Sequence, residues 1–105
     1  MLYESYVLWH GLLAKFPKTE RYALGQTCNQ FLLDVLERVI SSATTTDVAK
    51  KKEYLRQGSV KLDLLKLLIR LAKDCQCLSH NHYLVMESKL HQAGKMLGGW
   101  IKSFD

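Results

Sequence analysis

The sequence predicts an all-α protein, a single domain over residues 1–105 folded as an antiparallel up-down-up-down four-helix bundle. Three observations predict it. One proline and six glycines in 105 residues leave few of the turn formers that a many-stranded architecture needs. A hydrophobic content of 48% against 24% charged is the balance of a chain that buries one core. Apolar residues also recur at alternating steps of three and four along four segments, and the short connections between them force consecutive helices to run in opposite directions.

Segment one, about residues 3 to 15, places Tyr6, Trp9, Leu13 and Phe16 on one face. Pro17 cannot continue a helical hydrogen-bond ladder and restricts Phe16 before it, so the chain turns there and Thr19 is expected to cap the next helix. Segment two, about Glu20 to Ala43, carries Gly25, Cys28, Leu32, Val35 and Val39 on one line. The run from Ser41 to Thr46 loses the period in favour of residues that hydrogen-bond locally, and predicts a loop with Asp47 as the following cap.

Segment three extends to about Cys77. At 100° per residue Lys52, Arg56, Lys66, Arg70 and Lys73 fall within an arc of roughly 100°, along with Asp63 and Asp74, and apolar residues fill an arc of roughly 200°, about twice what one side of a bundle buries. That surplus predicts either deep burial or contact with another subunit. In segment four, behind a Ser79 cap, Tyr83, Met86, Leu90, Ala93, Leu97, Trp100 and Phe104 form a heptad seam expected to lie in the core. Gly94, Gly98 and Gly99 interrupt it, which suggests either close approach of a neighbouring backbone or fraying toward the C-terminus.

The charge is unevenly placed. Residues 50–73 hold eight basic and two acidic residues, a local +6, whereas the remainder nets −1. A stripe of Lys52, Arg56, Lys66, Arg70 and Lys73 is the footprint expected for a polyanionic partner, with a solvated lysine-rich face as the alternative. Lys18 and Arg21, held by the Phe-Pro-Lys turn, are candidates to extend that surface. Lys61 projects instead from the apolar arc, where a lysine needs a partner or an exit to solvent. Asp34 or Glu37 is a candidate partner, and an inter-subunit salt bridge or a channel lining is the functional alternative.

Several functions find no support. No apolar run approaches the ~18 residues of a membrane span, and the N-terminal stretch has no small-residue cleavage site, so a cytoplasmic protein is expected. Three cysteines, Cys28, Cys75 and Cys77, make an odd set, expected to be reduced and mostly buried, with Cys75 packed and Cys77 exposed in a turn. Cys75, Cys77, His80 and His82 offer zinc-type donors within eight residues, but not the C-x₂₋₄-C and H-x₃₋₅-H spacing of structural sites, so no metal or cofactor is assigned. Glu87 and His91 are spaced as an ordinary surface i,i+4 pair. With no phosphate loop and no framed nucleophile, no enzymatic activity is assigned.

Three stretches carry a family resemblance. Residues 15–26, KFPKTERYALGQ, resemble a "KFPKxxRxxLGQ" signature, residues 58–66, GSVKLDLLK, an "ASVKLDLLR" segment, and residues 94–102, GKMLGGWIK, a C-terminal "GRMLGGWIK". These are signatures of the four-helix family that includes the accessory variability determinant (Avd) of diversity-generating retroelements and is related to proteins encoded in 23S ribosomal RNA intervening sequences. The resemblance implies a pentameric, barrel-like ring with a basic surface. It also implies a non-enzymatic role as partner of the element's reverse transcriptase and its template-repeat RNA in mutagenic cDNA synthesis, with DNA binding left open. The alternative is an intervening-sequence-type oligomeric bundle that binds protein or RNA without a retroelement. Two departures stand out: Gly58 replaces the family's alanine, where it is expected to weaken or kink the helix start, and Cys75-Gln76-Cys77 replaces aliphatic or lysine residues.

Overall fold

Backbone hydrogen bonding along the chain produces four long helices and no strand among the described residues. The structure, a computed structural model, describes residues 2–104, and all of their side chains except those of Leu2, Glu20, Arg21 and Tyr22. The helices are α1 (Leu2–Leu13), α2 (Gln26–Thr44), α3 (Val48–Asp74) and α4 (His80–Ser103). No helix among the described residues is long and apolar enough to cross a membrane.

Helix α1 ends as its sequence requires. The N–H groups of Lys15 and Phe16 fold back to the carbonyls of Leu12 and Leu13 at 3.0 and 3.1 Å, and Pro17 follows. The restart differs from expectation. A helical turn already begins at Lys18 (Lys18–Glu20), so Thr19 lies inside it, and a π-helical turn (Arg21–Gly25) leads without a break into α2. Gly25 holds helical dihedrals and makes no side-chain cap, because no new helix starts there.

The second connection is shorter than predicted. Helix α2 continues through Ser41–Thr44, where Thr44 Oγ1 donates to the Ser41 carbonyl at 3.3 Å and Thr45 N–H bonds the same oxygen at 3.2 Å. Lys51 Nζ donates to the carbonyl of buried Ser42 at 3.0 Å and so satisfies one orphan acceptor of the helix end. Asp47 caps α3 as expected, its Oδ1 accepting from Ala49 N–H at 2.9 Å and Lys50 N–H at 3.4 Å. Ser79 Oγ caps α4 through His82 N–H at 3.1 Å.

Helix α3 stops at Asp74 in a Schellman turn. Cys77 N–H reaches the Ala72 carbonyl at 2.8 Å, Gln76 N–H reaches Lys73 at 3.0 Å, and Gln76 takes a φ of +64°. This reverses the expected cysteine placement: Cys77 is buried beneath the turn beside Leu78 and Cys75 is exposed, because the left-handed step at Gln76 swings the chain off the α3 helical phase. All three cysteines are free thiols.

The core joins Trp9, Leu12 and Phe16 of the first segment to Cys28, Leu32 and Val35 of α2, Leu55, Leu62, Leu65, Ile69 and Ala72 of α3, and Met86, Leu90, Ala93 and Leu97 of α4. Trp9 and Phe16 meet edge to face at 5.4 Å. Helix α3 is central, packing most extensively on α2 and α4, while α1 lies against α4 and α2. Partner numbers fall along α2 as they rise along α3: Ser42 meets Lys51, Arg38 meets Gly58, and Asp34 meets Lys61.

The predicted seam of α4 holds through Leu97 and then opens, leaving Trp100 and Phe104 exposed. The cause is length. At 1.5 Å per residue the 12 residues of α1 span about 18 Å and the 24 of α4 about 36 Å. Because Lys15, just past α1, meets His82 at the start of α4, α1 does not reach the far end. There Trp100 and Phe104 instead line an apolar cleft of about 250 Å³ with Val39 and Leu55.

Gly58 is not at a helix start but ten residues inside α3, buried where α2 crosses, and a Cβ there would lie 3.4 Å from Arg38 Cβ. Gly94 is likewise a point of close approach, made by a side chain rather than a backbone: Lys66 Nζ lies 2.9 Å from where its Cβ would be. Gly98 and Gly99 face open space, so close packing does not explain them.

Candidate nucleic-acid interface

The cations of α3 divide into two groups because the arc that carries them borders α4. Arg56 and Arg70 are exposed, whereas Lys52, Lys66 and Lys73 are half-buried. Lys66 lies across α4 at Gly94 and approaches Asp63 at 3.8 Å, and Lys73 places its ammonium 5.1 Å from the Tyr83 ring centre. These lysines therefore cover apolar and aromatic surface with their stems while keeping their charge at the α3–α4 seam.

That seam is a groove of about 290 Å³ lined by Lys66, Leu67 and Arg70 of α3 and Tyr83, Glu87 and His91 of α4. Burial first, then Glu87 through hydrogen bonding and charge, holds the Tyr83 phenol above its ordinary range, while Arg70 pulls it down. The groove thus offers two cations, two rings suited to stacking on a base, and one carboxylate. The sequence reading missed the aromatic side. Tyr83 was expected in the core seam and His91 as half of a surface pair, and nothing local in α4 signals that α3 brings its cations against them.

Lys18 is exposed in the turn after Pro17 and lines neither this groove nor the cleft at the start of α4. The side chain of Arg21 lies outside the described residues. Lys61 sits on the other flank of α3, 3.6 Å from Asp34 Oδ2 and 4.7 Å from the Phe31 ring centre. Cys77, His80 and His82 line the cleft at the start of α4 with Lys15 and Lys73, while Cys75 is exposed. No group of three or more His, Cys, Asp or Glu side chains among the described residues is placed to hold a metal ion.

A model of the bAvd-like family matches residues 4–104. The chain belongs to the bAvd-like family. No curated protein and no solved structure matches it. In this bAvd-like chain the Lys-Phe-Pro-Lys turn closes α1, the Gly58–Lys66 stretch forms the middle of α3 beneath α2, and the Gly94–Lys102 stretch forms the second half of α4. Two of these motifs touch at the groove, through Lys66 over Gly94.

Proposed function

We propose that the protein is a non-enzymatic accessory factor of a diversity-generating retroelement. It binds template-repeat RNA along the α3–α4 groove, engages the element's reverse transcriptase, and so supports mutagenic cDNA synthesis. The observation that carries the nucleic-acid part is the alignment of Lys66 and Arg70 with Tyr83 and His91 in one groove, phosphate-contacting and base-stacking groups together. Family membership supports the retroelement part. The falling and rising partner numbers of α2 and α3 support the antiparallel, up-down-up-down order. The exposed apolar face of α3 supports assembly, read as a pentameric ring that repeats one weak groove five times.

Binding of a structured RNA across a salt series tests this reading. The variant of choice is Arg56→Glu with Arg70→Glu, since both side chains are exposed and their replacement leaves the packed lysines in place. The wild type is expected to bind with affinity falling steeply as salt rises, and the variant with a weaker affinity and a shallower slope. Absence of binding by the wild type at low salt refutes the RNA role. Failure to co-purify with the cognate reverse transcriptase, or to stimulate its cDNA synthesis, refutes the retroelement role. The exposed leucines of α3 favour one second reading, an intervening-sequence-type oligomer that binds a protein partner.

A further inference from the structure

A second basic site lies at the end of the bundle where α1 finishes and α4 begins. Two distant stretches of sequence meet there: Lys15 just past α1, and the run from Lys73 near the end of α3 through Gln76 in the turn to Ser79, His80 and His82 at the start of α4. They line a cleft of about 590 Å³, and no carboxylate lines it among the described residues. Lys15 Nζ stands 3.4 Å from His82 Nε2, 67 positions away in sequence. Lys73 is half-buried, with its ammonium over the face of the Tyr83 ring, 5.1 Å from its centre. Ser79 Oγ accepts from the His82 N–H and keeps its own O–H to donate.

With Lys15 and Lys73 in its lining and no carboxylate among the described residues that line it, the cleft has a positive potential that favours a bound anion. We infer that this cleft binds a terminal phosphate monoester, the phosphorylated end of a nucleic-acid strand. The two lysines match the charge of about −1.5 to −2 that a monoester carries near neutrality, whereas an internal phosphodiester carries only one. The His80 imidazole, the Ser79 hydroxyl and the Gln76 amide supply further hydrogen-bond donors for its oxygens, while His82 Nε2 accepts from Lys15 and holds that ammonium at the cleft. The cleft is roomier than a bare ion needs, which leaves space for the terminal sugar. Lys73 belongs to this cleft and to the α3 stripe, so a strand leaving the cleft runs onto Arg70 and Lys66. The identity of the ligand as a strand end rests on the nucleic-acid reading above; the chemistry of the cleft does not.

The test compares oligoribonucleotides of one sequence bearing a 5′-phosphate, a 3′-phosphate or hydroxyls at both ends, by fluorescence anisotropy at physiological salt. One phosphorylated form is expected to bind roughly tenfold tighter than the hydroxyl form, the worth of one or two charge-assisted hydrogen bonds. That ratio should collapse toward one in a Lys15→Gln, His82→Gln variant shown to be folded by circular dichroism. Arg56→Glu with Arg70→Glu should weaken all three oligonucleotides alike and preserve the ratio. Equal wild-type affinities for the three ends overturn the strand-end proposal. If no oligonucleotide binds, the nucleic-acid reading falls, and an NMR titration with adenosine monophosphate and inorganic phosphate decides the cleft separately. Shifts confined to the His80 and His82 region support a phosphate-monoester cleft whose ligand is a free metabolite, and their absence overturns it.

Discussion

Lys61 Nζ stands 3.6 Å from Asp34 Oδ2 and 4.7 Å from the centre of the Phe31 ring, so a cation in the apolar arc of α3 is held by two residues of α2 within the same chain. The pair is partly exposed, with side-chain exposures of 36% for Lys61 and 21% for Asp34, so solvent screening keeps its worth small. A double-mutant cycle of Lys61→Met and Asp34→Asn should give a coupling of about 0.5 kcal/mol by urea unfolding. Lys61→Met alone should cost about 1 kcal/mol, since the ring contact goes with the ion pair. A coupling of several kcal/mol would mean that the pair is dry in solution and shielded by another subunit.

The three thiols should separate by reactivity. Burial first, then the neighbouring Cys77, pushes the Cys28 thiol up to about 12, so at neutral pH it stays protonated and inert. Cys77 is buried and Cys75 exposed. Alkylation of the native protein should label Cys75 rapidly and the other two only on unfolding, read by mass spectrometry. The Cys28 shift also sets a direction for alkaline stability. The folded state holds that proton more tightly than the unfolded state, whose value is 9.0, so this contribution is complete below pH 9 and is lost progressively up to pH 12. The loss should be on the order of a few kcal/mol, and Cys28→Ala should flatten the decline.

Two backbone positions invite stabilising changes. Gln76 holds φ +64° at the site of a Schellman turn where glycine is favoured, so Gln76→Gly should raise stability by about 1 kcal/mol and the Tm by roughly 4–8 °C. Gly58→Ala should add about 0.5–1 kcal/mol, because its Cβ meets Arg38 Cβ at 3.4 Å, at the edge of ordinary contact, and a buried helical position gains from losing glycine's freedom. Thermal unfolding of each variant measures the gain, and a fall in Tm for Gly58→Ala would show that α2 and α3 cannot move apart by a few tenths of an ångström.

Most of the helices were legible in the sequence because their signals are local. Asp47 and Ser79 cap where they stand, Pro17 ends α1, and the step of three and four fixes the buried line through Cys28, Leu32 and Val35. The failures share a cause in contacts between distant residues. Ser41–Thr44 stay helical because Lys51 reaches back to Ser42, and Trp100 is uncovered because α1 is short. The candidate site followed the same rule. The cations were visible as an arc on one helix, whereas their meeting with Tyr83 and His91, or of Lys15 with His82, depends on how α4 is laid against its neighbours.

The wide apolar arc predicted for α3 survives as an uncovered face. Val60, Leu64, Leu67 and Leu71 follow one another at steps of four, three and four on the side opposite the core, and Leu67 is 65% exposed. Scattered exposed leucines are ordinary on a protein surface, whereas a continuous row along three turns predicts contact with another subunit. Burying each such side chain contributes about 1.5–3 kcal/mol, so one charge at the centre of the row should break a weak assembly without touching the core. Light scattering at micromolar concentration should give a multimer for the wild type and a monomer for Leu67→Glu, with unchanged helicity by circular dichroism. A monomeric wild type would remove the assembly on which repetition of the groove depends. A multimer indifferent to Leu67→Glu would move the interface to another exposed apolar face, that of Leu84 and Val85 on α4. Because Arg56 and Arg70 flank the row, assembly through it would bring grooves of neighbouring protomers close together. A Leu64→Glu variant, on the same row but outside the groove that Leu67 lines, should therefore also lose salt-sensitive RNA affinity by more than its single added charge explains.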